Sequence, residues 1–162
     1  MDNKKVINTA KEFIEELLLN KLDFEAKVEA QILMEEDREI LDIRVEGDDL
    51  SLLIGNRGRN LESIQYLLLQ VLYKAVGDHV WVKLDINGYR EKKQKSIENI
   101  ALKAAHQSID FGVETALEPM SPADRRIVHM ILAEDERVET DSEGEGYERH
   151  VVIRPTSENK LF

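Results

Sequence analysis

The stretch of sequence that decides the fold runs from Leu50 to Tyr73 and reads LSLLIGNRGRNLESIQYLLLQVLY. Its centre is Gly55-Asn56-Arg57-Gly58, which follows a short apolar run. Behind the turn, apolar residues recur at the three- and four-residue spacing of one helix face. These residues are Leu61, Ile64, Leu68, Val71 and Ala75. The pattern predicts a short helix, a tight glycine turn and a longer amphipathic helix.

The residues of the turn favour a phosphate ligand. A glycine accepts positive φ and lets the backbone approach a neighbour closely. A helix that begins at Gly58 presents amide hydrogens without intrahelical acceptors, together with the positive end of its dipole. Arg57 and Arg59 add positive charge beside those amides, which suits a nucleic-acid backbone. The simpler alternative makes Gly55 a helix C-cap and Gly58 a turn residue, with no ligand.

Composition bounds the class of protein. A chain of 162 residues with 42% hydrophobic content has room for one domain or two small ones with packed cores. Without cysteine it has no disulfides and no thiolate metal site. No apolar run approaches the length of a membrane span, and the N-terminus follows an amphipathic helix pattern and does not resemble a secretion signal. We therefore expect a soluble, cytoplasmic globular protein.

The net charge of -11 excludes nucleic-acid binding through overall positive potential, so any such binding must be local. Basic residues do cluster at the turn and again where the last strand of the first half meets the next helix. The second group is Lys83, Arg90, Lys92, Lys93 and Lys95. A run of lysines is as often a solvated helix face, and both interpretations of this group stay open.

The first half of the chain predicts an α+β domain. A helix over residues 2–19 precedes two strands of period two, Lys27 to Met34 and Leu41 to Val45, joined by an acidic turn. Asp48 or Asp49 is expected to cap the short helix before the turn, and Gly77 to close the longer one. A third strand follows at Val80 to Ile86. This order predicts a three-stranded sheet covered on one face by helices, one of which is expected to bury Trp81. An exposed Trp81 that stacks on a base is the alternative.

The second half predicts another small α+β domain. A long helix is expected over residues 90–117, with lysines in its first turns that oppose the helix dipole. A second helix starts at Ser121-Pro122, with serine as N-cap and proline at the first helical position. Arg125 and His129 lie four apart on this helix and therefore share a face. Two strands joined by a Glu-Gly-Glu-Gly loop complete the chain.

The order of the first half and its IGNRG turn resemble the type II KH domain, a small module that binds RNA or single-stranded DNA. The sequence after the turn, NLESIQYL, is similar to the equivalent helix of Jag-type KH proteins. In KH modules the glycine turn clamps the backbone of about four nucleotides while the bases lie in an apolar groove. The resemblance implies RNA contacts at Ile54, Gly55, Asn56, Arg57, Gly58 and Arg59. Asn56 departs from the basic residue that is frequent at its position.

The segment SPADRRIVHMILAEDERVETDSEGEGYERHVVIRP resembles the R-three-H domain, which is associated with single-stranded nucleic acids. Arg125 and His129 correspond to the arginine and histidine, separated by three residues, that name the domain. The arginine is expected to contact a phosphate and the histidine to stack or hydrogen-bond. Arg149 and Arg154 are expected to extend the same surface. Ordinary surface roles are the alternative for all four residues.

A KH domain followed by an R-three-H domain is the arrangement of the Jag family, also called KhpB. The resemblance implies a KH-like domain over residues 1–88 and an R-three-H domain over residues 89–162. It also implies a bacterial, cytoplasmic protein that binds single-stranded RNA, or single-stranded DNA, and is linked to cell elongation and division. A smaller single-KH protein is the usual partner. Many members carry a further N-terminal domain and linker, and neither is expected within these 162 residues.

The sequence gives little support to an enzyme. The glycine turn lacks the Lys-Ser/Thr of a Walker loop, so it is not an ATPase signature. The histidines show no metal-ligand spacing and no nucleophile-base pair is evident, so neither metal nor cofactor is predicted. A protein-interaction adaptor that keeps the KH fold without binding RNA is the second hypothesis, and the acidic composition favours it.

Overall fold

The structure, a computed structural model, describes residues 2–156 apart from the side chain of Leu19. The ends of the two predicted domains, at Met1 and at residues 157–162, lie outside this range. The described chain divides into two compact units between Arg90 and Glu91. Within the described residues, no helix is long and apolar enough to cross a membrane.

The first unit follows the order that the sequence predicts. Helix α1 continues into wider π-helical turns over Glu15–Lys21. The elements of this unit are α1 (Asn3–Ile14), β1 (Lys27–Glu35), β2 (Arg38–Glu46), α2 (Ser51–Ile54), a 3-10 turn (Asn56–Gly58), α3 (Arg59–Val76) and β3 (Trp81–Ile86). Strand β1 pairs with β2 in antiparallel fashion, and β2 pairs with β3 in parallel, which gives the order β1-β2-β3.

Helices α1 and α3 pack on one face of this sheet, as the sequence predicts. Every second residue of β2 points into the core, and the helices contribute their apolar stripes. The fully buried side chains at this interface include Val6, Ile14, Leu18, Leu41, Ile43, Val45, Leu68, Leu72, Leu84 and Ile86. The α+β class and the three-stranded sheet packed on helices are therefore confirmed.

Local capping signals account for several of the helix ends. The Asp2 carboxylate accepts hydrogen bonds from the amides of Lys4 and Lys5 and caps α1. Gly77 ends α3 in the left-handed conformation, and its amide donates to the carbonyl of Tyr73. The predicted cap of α2 is wrong: Leu50 occupies the N-cap position of that helix, with no side-chain cap bond. A helix of four residues gains little from such a bond.

The second unit is built from α4 (Tyr89–Phe111), whose first two residues belong to the first unit, and from β4 (Thr115–Ala116), α5 (Pro122–Leu132), β5 (Val138–Glu143) and β6 (His150–Pro155). Strand β6 lies between β4 and β5 and is antiparallel to both. The sequence extends α4 to residue 117, but the helix ends at Phe111 because Gly112 adopts a φ of 64°. The residues that follow supply the short strand β4, which the sequence does not predict.

The core of the second unit lies between α4, α5 and the inner face of β6. Ser108 of α4 is fully buried, and its hydroxyl lies 2.7 Å from the carbonyl oxygen of Val113, to which it donates. The buried apolar side chains are Ile97, Ala101, Ala104, Ala105, Leu117, Val128, Leu132, Val138, Val151 and Ile153. Each unit thus has a separate apolar core.

The structure corrects the expected burial of Trp81. This residue opens the edge strand β3 and is 50% exposed. The guanidinium of Arg38 lies 5.1 Å from the centre of its ring, and the imidazole of His79 makes an edge contact at 4.9 Å. Trp81 points away from the helix-covered face, so a cation and an imidazole cover part of the ring where the sequence predicts a helix.

Candidate nucleic-acid interface

The glycine turn connects α2 to α3 through three unusual backbone conformations. Gly55 has a φ of 71° and a ψ of -176°, a region that is essentially restricted to glycine. Arg57 and Gly58 both have positive φ, 56° and 86°. The chain can therefore reverse within four residues. The conformation of Gly55 requires glycine, and any other residue at the position of Gly58 would be strained.

Packing inside the protein also requires both glycines. A Cβ on Gly55 would lie 2.5 Å from Cγ of Asn60, whose amide group donates to the carbonyl of Leu52 at 2.7 Å. A Cβ on Gly58 would lie 2.8 Å from the ring of Tyr89. The glycines thus allow Asn60 and Tyr89 to pack against the inner side of the turn. The fold therefore explains the two glycines even without a ligand.

The backbone amides of the turn make more hydrogen bonds within the protein than the sequence predicts. The sequence predicts amides without internal acceptors, but three of them already donate within the turn. The amide of Gly55 donates to Ser51 at 3.0 Å, and that of Gly58 donates to Gly55 at 3.3 Å. The amide of Arg59 donates to the carbonyl of Asn56. The turn is therefore held by its own hydrogen bonds, and these three amides are already engaged.

Exposed side chains form the outer surface of the turn. Asn56, Arg57 and Arg59 are exposed, whereas Gly58 is buried. Gly58 has no side chain with which to cap α3, so the positive end of the dipole of this 18-residue helix lies at the turn. Ile54 is partly buried and packs against the core of the first unit. The turn therefore presents two arginines and one amide side chain at a helix N-terminus.

The second predicted pair lies on α5. Ser121 caps this helix by accepting a hydrogen bond from the amide of Asp124 at 3.2 Å, as the sequence predicts. Arg125 and His129 lie one turn apart and line the same surface cavity of about 480 Å³. The residues that line it are Pro122, Arg125, Arg126, His129, Met130, Ala133, Ser142 and Arg149. Three arginines therefore border one concavity in a chain of net charge -11.

Both nitrogens of the His129 ring are used inside the fold. Nδ1 lies 2.7 Å from the hydroxyl of Thr140, and Nε2 lies 2.8 Å from the hydroxyl of Ser142. Hydroxyls can donate or accept, so they can satisfy either tautomer of the ring. The expected hydrogen bond from this imidazole to a ligand is therefore not supported. His129 instead links α5 to β5 through these two hydroxyls, and it also lines the cavity.

Arg125 uses less of its hydrogen-bonding capacity within the protein than His129 does. Its Nη1 donates to the carbonyl of Met120 at 2.9 Å, which fixes the guanidinium at the cavity wall. An arginine has five N–H donors, so one such bond leaves a fork that can bind an anion. The structure thus gives the two members of the pair different roles.

The structure also separates Arg149 from Arg154. Arg149 lines the cavity, and its Nη1 donates to the carbonyl of Gly144 at 2.9 Å. Arg154 lies elsewhere and forms ion pairs with Glu143 and Glu114. The hydrogen bond from Arg154 to Glu143, supported by Glu114, raises the pKa of Arg154 above its usual value. Two carboxylates therefore already neutralise Arg154.

Protein acceptors engage most of the predicted basic cluster. Lys83 pairs with Glu35 at 3.2 Å, Lys93 pairs with Asp124 at 2.9 Å, and Lys95 pairs with Glu91. Arg90 donates to the carbonyl of Leu84 and to the side chain of Gln65. These contacts favour a structural role for the cluster. Among residues 2–156, no group of histidine and acidic side chains is arranged to hold a metal ion.

Two family models match the chain, one on each unit. Residues 11–87 match the model described as KhpA/KhpB, KH domain, and residues 95–155 match the R-three-H domain. The first match contains the glycine turn, and the second contains Arg125, His129 and the cavity around them. Both domains are binding modules, which agrees with the prediction of a non-enzymatic protein.

Several known proteins are similar to most of this chain. A protein of Clostridium symbiosum named RNA-binding protein KhpB is 38% identical over 133 residues, which are 82% of this chain and 60% of that protein. A Bacillus subtilis protein of the same name is 30% identical over 126 residues, 76% of this chain and 61% of the relative. One from Lactiplantibacillus plantarum is 34% identical over 102 residues, 63% of this chain and 32% of the relative.

The chain thus spans about 60% of the length of the first two relatives. Its two matched regions, KH and then R-three-H, occur in the order predicted from the sequence. The chain therefore carries a KH domain of the KhpA/KhpB type followed by an R-three-H domain, and it is similar over most of its length to proteins named KhpB.

Proposed function

We propose that this chain binds single-stranded RNA at two surfaces, the glycine turn of the KH unit and the cavity of the R-three-H unit. The domains are placed at residues 1–88 and 89–162. The relatives named RNA-binding proteins support the proposal, as do the two matched domains. The observation that carries it is the clustering of three arginines around one cavity of an otherwise acidic chain.

At the glycine turn, the arginine side chains are proposed to contact phosphates. Arg57 and Arg59 are exposed beside the N-terminus of α3, where the helix dipole favours an anion. Asn56 is exposed between Gly55 and Arg57 and can donate a further hydrogen bond. Gly55 and Gly58 give the turn its shape. Ile54, half-buried at the end of α2, is proposed to border the groove for the bases.

At the R-three-H cavity, Arg125 is proposed to bind a phosphate through the donors that Met120 does not use. Arg126 and Arg149 lie along the same wall and add positive charge. His129 holds α5 against β5 through Thr140 and Ser142 and also lines the cavity. The phosphate contacts are thus assigned to arginines, and the histidine positions the helix that carries two of them, Arg125 and Arg126.

The test of the glycine turn is the full chain carrying Asn56→Asp and Arg57→Asp. Two carboxylates at this turn would repel phosphates, so binding to a short single-stranded RNA should be lost while the fold is retained. Asn20→Asp with Lys21→Asp is the matched control, because it makes the same change in charge at the end of the first helical segment, where Lys21 is also exposed. Equal loss in both variants would show only a general charge effect. Unchanged binding in the first would exclude the turn as a phosphate site.

The test of the cavity is Arg125→Ala, measured as a salt titration of RNA affinity. Each lost phosphate contact lowers the slope of log affinity against log salt by about one unit. His129→Ala is expected to lower stability as well, because it removes the link from α5 to β5. Arg125 is therefore the cleaner probe. An unchanged slope at full stability would remove Arg125 from the site.

A protein-interaction adaptor is the second candidate, and two observations favour it. The chain is strongly acidic, and Tyr66, Leu67 and Tyr73 are each at least half exposed along α3. Exposed apolar side chains of this kind are typical of protein contacts. An adaptor would show no RNA binding in the wild-type chain, and it would lose a protein partner when these α3 residues are changed.

For the cellular role, we propose a cytoplasmic bacterial regulator linked to cell elongation and division, with a smaller single-KH protein as partner. This part rests on the resemblance of the whole chain to the Jag family. Complementation of a deletion strain tests it. Wild-type protein should restore cell length and the variant with Asn56→Asp and Arg57→Asp should not, provided that both accumulate equally. Equal rescue would separate the cellular role from the glycine turn.

A further inference from the structure

The loop between β5 and β6 carries the most exposed aromatic side chain among the described residues. Tyr147 is 90% exposed, compared with 62% for both Tyr66 and Tyr73. A tyrosine held in water contributes little to folding, since the stability that a ring gives comes from its burial. Aromatic rings with a polar tip are enriched at binding surfaces. The ring of Tyr147 therefore lies at the surface, where a ligand can reach it.

The loop that presents this ring has a defined backbone. The amide of Glu148 donates to Glu145 at 3.1 Å, and Nη1 of Arg149 donates to the carbonyl of Gly144 at 2.9 Å. Gly144 has a φ of 82°, and a Cβ there would lie 2.8 Å from the carbonyl oxygen of Glu148. The loop thus folds tightly on itself and holds Tyr147 outward.

Both ends of the loop belong to the R-three-H cavity. Ser142 precedes it and Arg149 follows it, and both line the cavity beside Arg125 and Arg126. The same guanidinium of Arg149 that borders the cavity also fastens the loop at Gly144. Tyr147 is therefore tied to the proposed phosphate site through its own backbone on both sides.

Charge differs between the cavity and the loop. Arginines line the cavity, whereas Glu145 and Glu148 flank Tyr147, and Glu143 is paired with Arg154. Phosphates are attracted to the arginines and repelled by the two glutamates. A bound strand that places its phosphates in the cavity would thus turn its bases, which carry no charge, toward the loop.

From this arrangement we propose that Tyr147 is a nucleobase-stacking residue of the R-three-H site, with the phosphates held by Arg125, Arg126 and Arg149. The inference rests on the proposed RNA binding and adds to it a contact with the bases. Stacking on an aromatic side chain is tolerant of sequence because every base has a π face. The loop is then expected to add affinity without selecting a particular base.

The test compares Tyr147→Ala with Tyr147→Phe in the full chain, using a short single-stranded RNA and a strand of equal length whose sites are abasic. Loss of one stacked base should weaken RNA binding about 5- to 150-fold in Tyr147→Ala. Tyr147→Phe keeps the ring and should bind normally, and neither change should alter binding of the abasic strand. The salt slope should stay constant, because no phosphate contact is lost. Tyr73→Ala, on α3 of the other unit, is the control.

A fluorescence measurement gives a second readout. Trp81 is the one tryptophan of the chain, so Trp81→Phe combined with Tyr147→Trp places a single indole on the loop. Saturating RNA should quench its emission and the abasic strand should not. Failure of the wild-type chain to bind RNA would overturn the proposed function itself. Normal RNA affinity in Tyr147→Ala, or unchanged emission at saturation, would overturn only the assignment of Tyr147.

Discussion

Lys93 of α4 and Asp124 of α5 form an ion pair, with 2.9 Å between Nζ and Oδ2, and both side chains are mostly buried at 23% and 10% exposure. Asp124 also lies in the first turn of α5, where the helix dipole favours a carboxylate. The pair therefore joins the two helices immediately before Arg125. This ion pair gives Lys93, a member of the predicted basic cluster, a structural role.

Loss of one partner should leave a poorly solvated charge. We expect Lys93→Met to lower the free energy of unfolding of the R-three-H unit by about 2 kcal/mol, somewhat less than for a fully buried pair because Lys93 remains partly exposed. Far-UV circular dichroism in urea measures this loss, and amide exchange in α5 localises it. Lys95→Met is the control. It breaks the pair with Glu91, which contributes little to stability because both side chains are exposed to solvent. Equal effects of the two changes would contradict the structural role of Lys93.

The ring of Tyr89 against Gly58 leads to a prediction about the turn itself. Gly58→Ala should cost about 2 to 3 kcal/mol, because it combines a left-handed φ with a Cβ 2.8 Å from the ring. Gly77→Ala is the matched control. Its φ is 74° but nothing lies within 4 Å of the added Cβ, so about 1 kcal/mol is expected. The fluorescence of Trp81 reports unfolding of this unit. In a double-mutant cycle, Gly58→Ala should lower the free energy of unfolding by less when Tyr89→Ala has removed the ring that the new Cβ would meet.

The contrast between Arg149 and Arg154 predicts different effects on RNA binding. Arg149→Ala should weaken binding and reduce the salt slope by about one unit, because its guanidinium borders the cavity. Arg154→Ala should leave the slope unchanged, since Glu114 and Glu143 already pair with that side chain. The two arginines lie near the two ends of β6, so they make a close comparison. The same reduction in both variants would indicate a response to net charge alone.

A carboxylate in the turn after α5 predicts how stability depends on pH. Arg137 donates two side-chain hydrogen bonds to Asp135, and the pKa of this carboxyl is lowered chiefly by them. The stabilisation is present at pH values above the usual pKa of aspartate and is lost as pH falls through the lowered value. Asp135→Asn should therefore be less stable than wild type at pH 7, by less than about 1 kcal/mol, and the difference should vanish in acid. Urea titrations at several pH values measure it, with the exposed Glu136→Gln as control.

The parts of the fold that the sequence predicts correctly depend on local signals. Gly77 and the pair Ser121-Pro122 end or begin helices through contacts within a few residues. The alternation of β2 and the stripe of α3 report directly which face is buried. These patterns are sufficient for the element order and for the α+β class.

The parts that the sequence misses depend on contacts between distant segments. The burial of a tryptophan depends on which face of the sheet the helices cover, and Trp81 lies on the other one. The role of His129 depends on the positions of Thr140 and Ser142, 11 and 13 residues further along the chain. No spacing rule in the sequence gives that register. The sequence therefore indicates the face that His129 shares with Arg125, but it does not reveal the link from His129 to β5.

The glycine turn keeps its shape through Asn60, Tyr89 and three internal amide bonds, whatever lies against its outer side. These contacts involve the backbone and the inner side of the turn. Under the proposed function, a lineage that gains or loses charge at Asn56 or Arg57 would change how long an RNA stays bound to the turn.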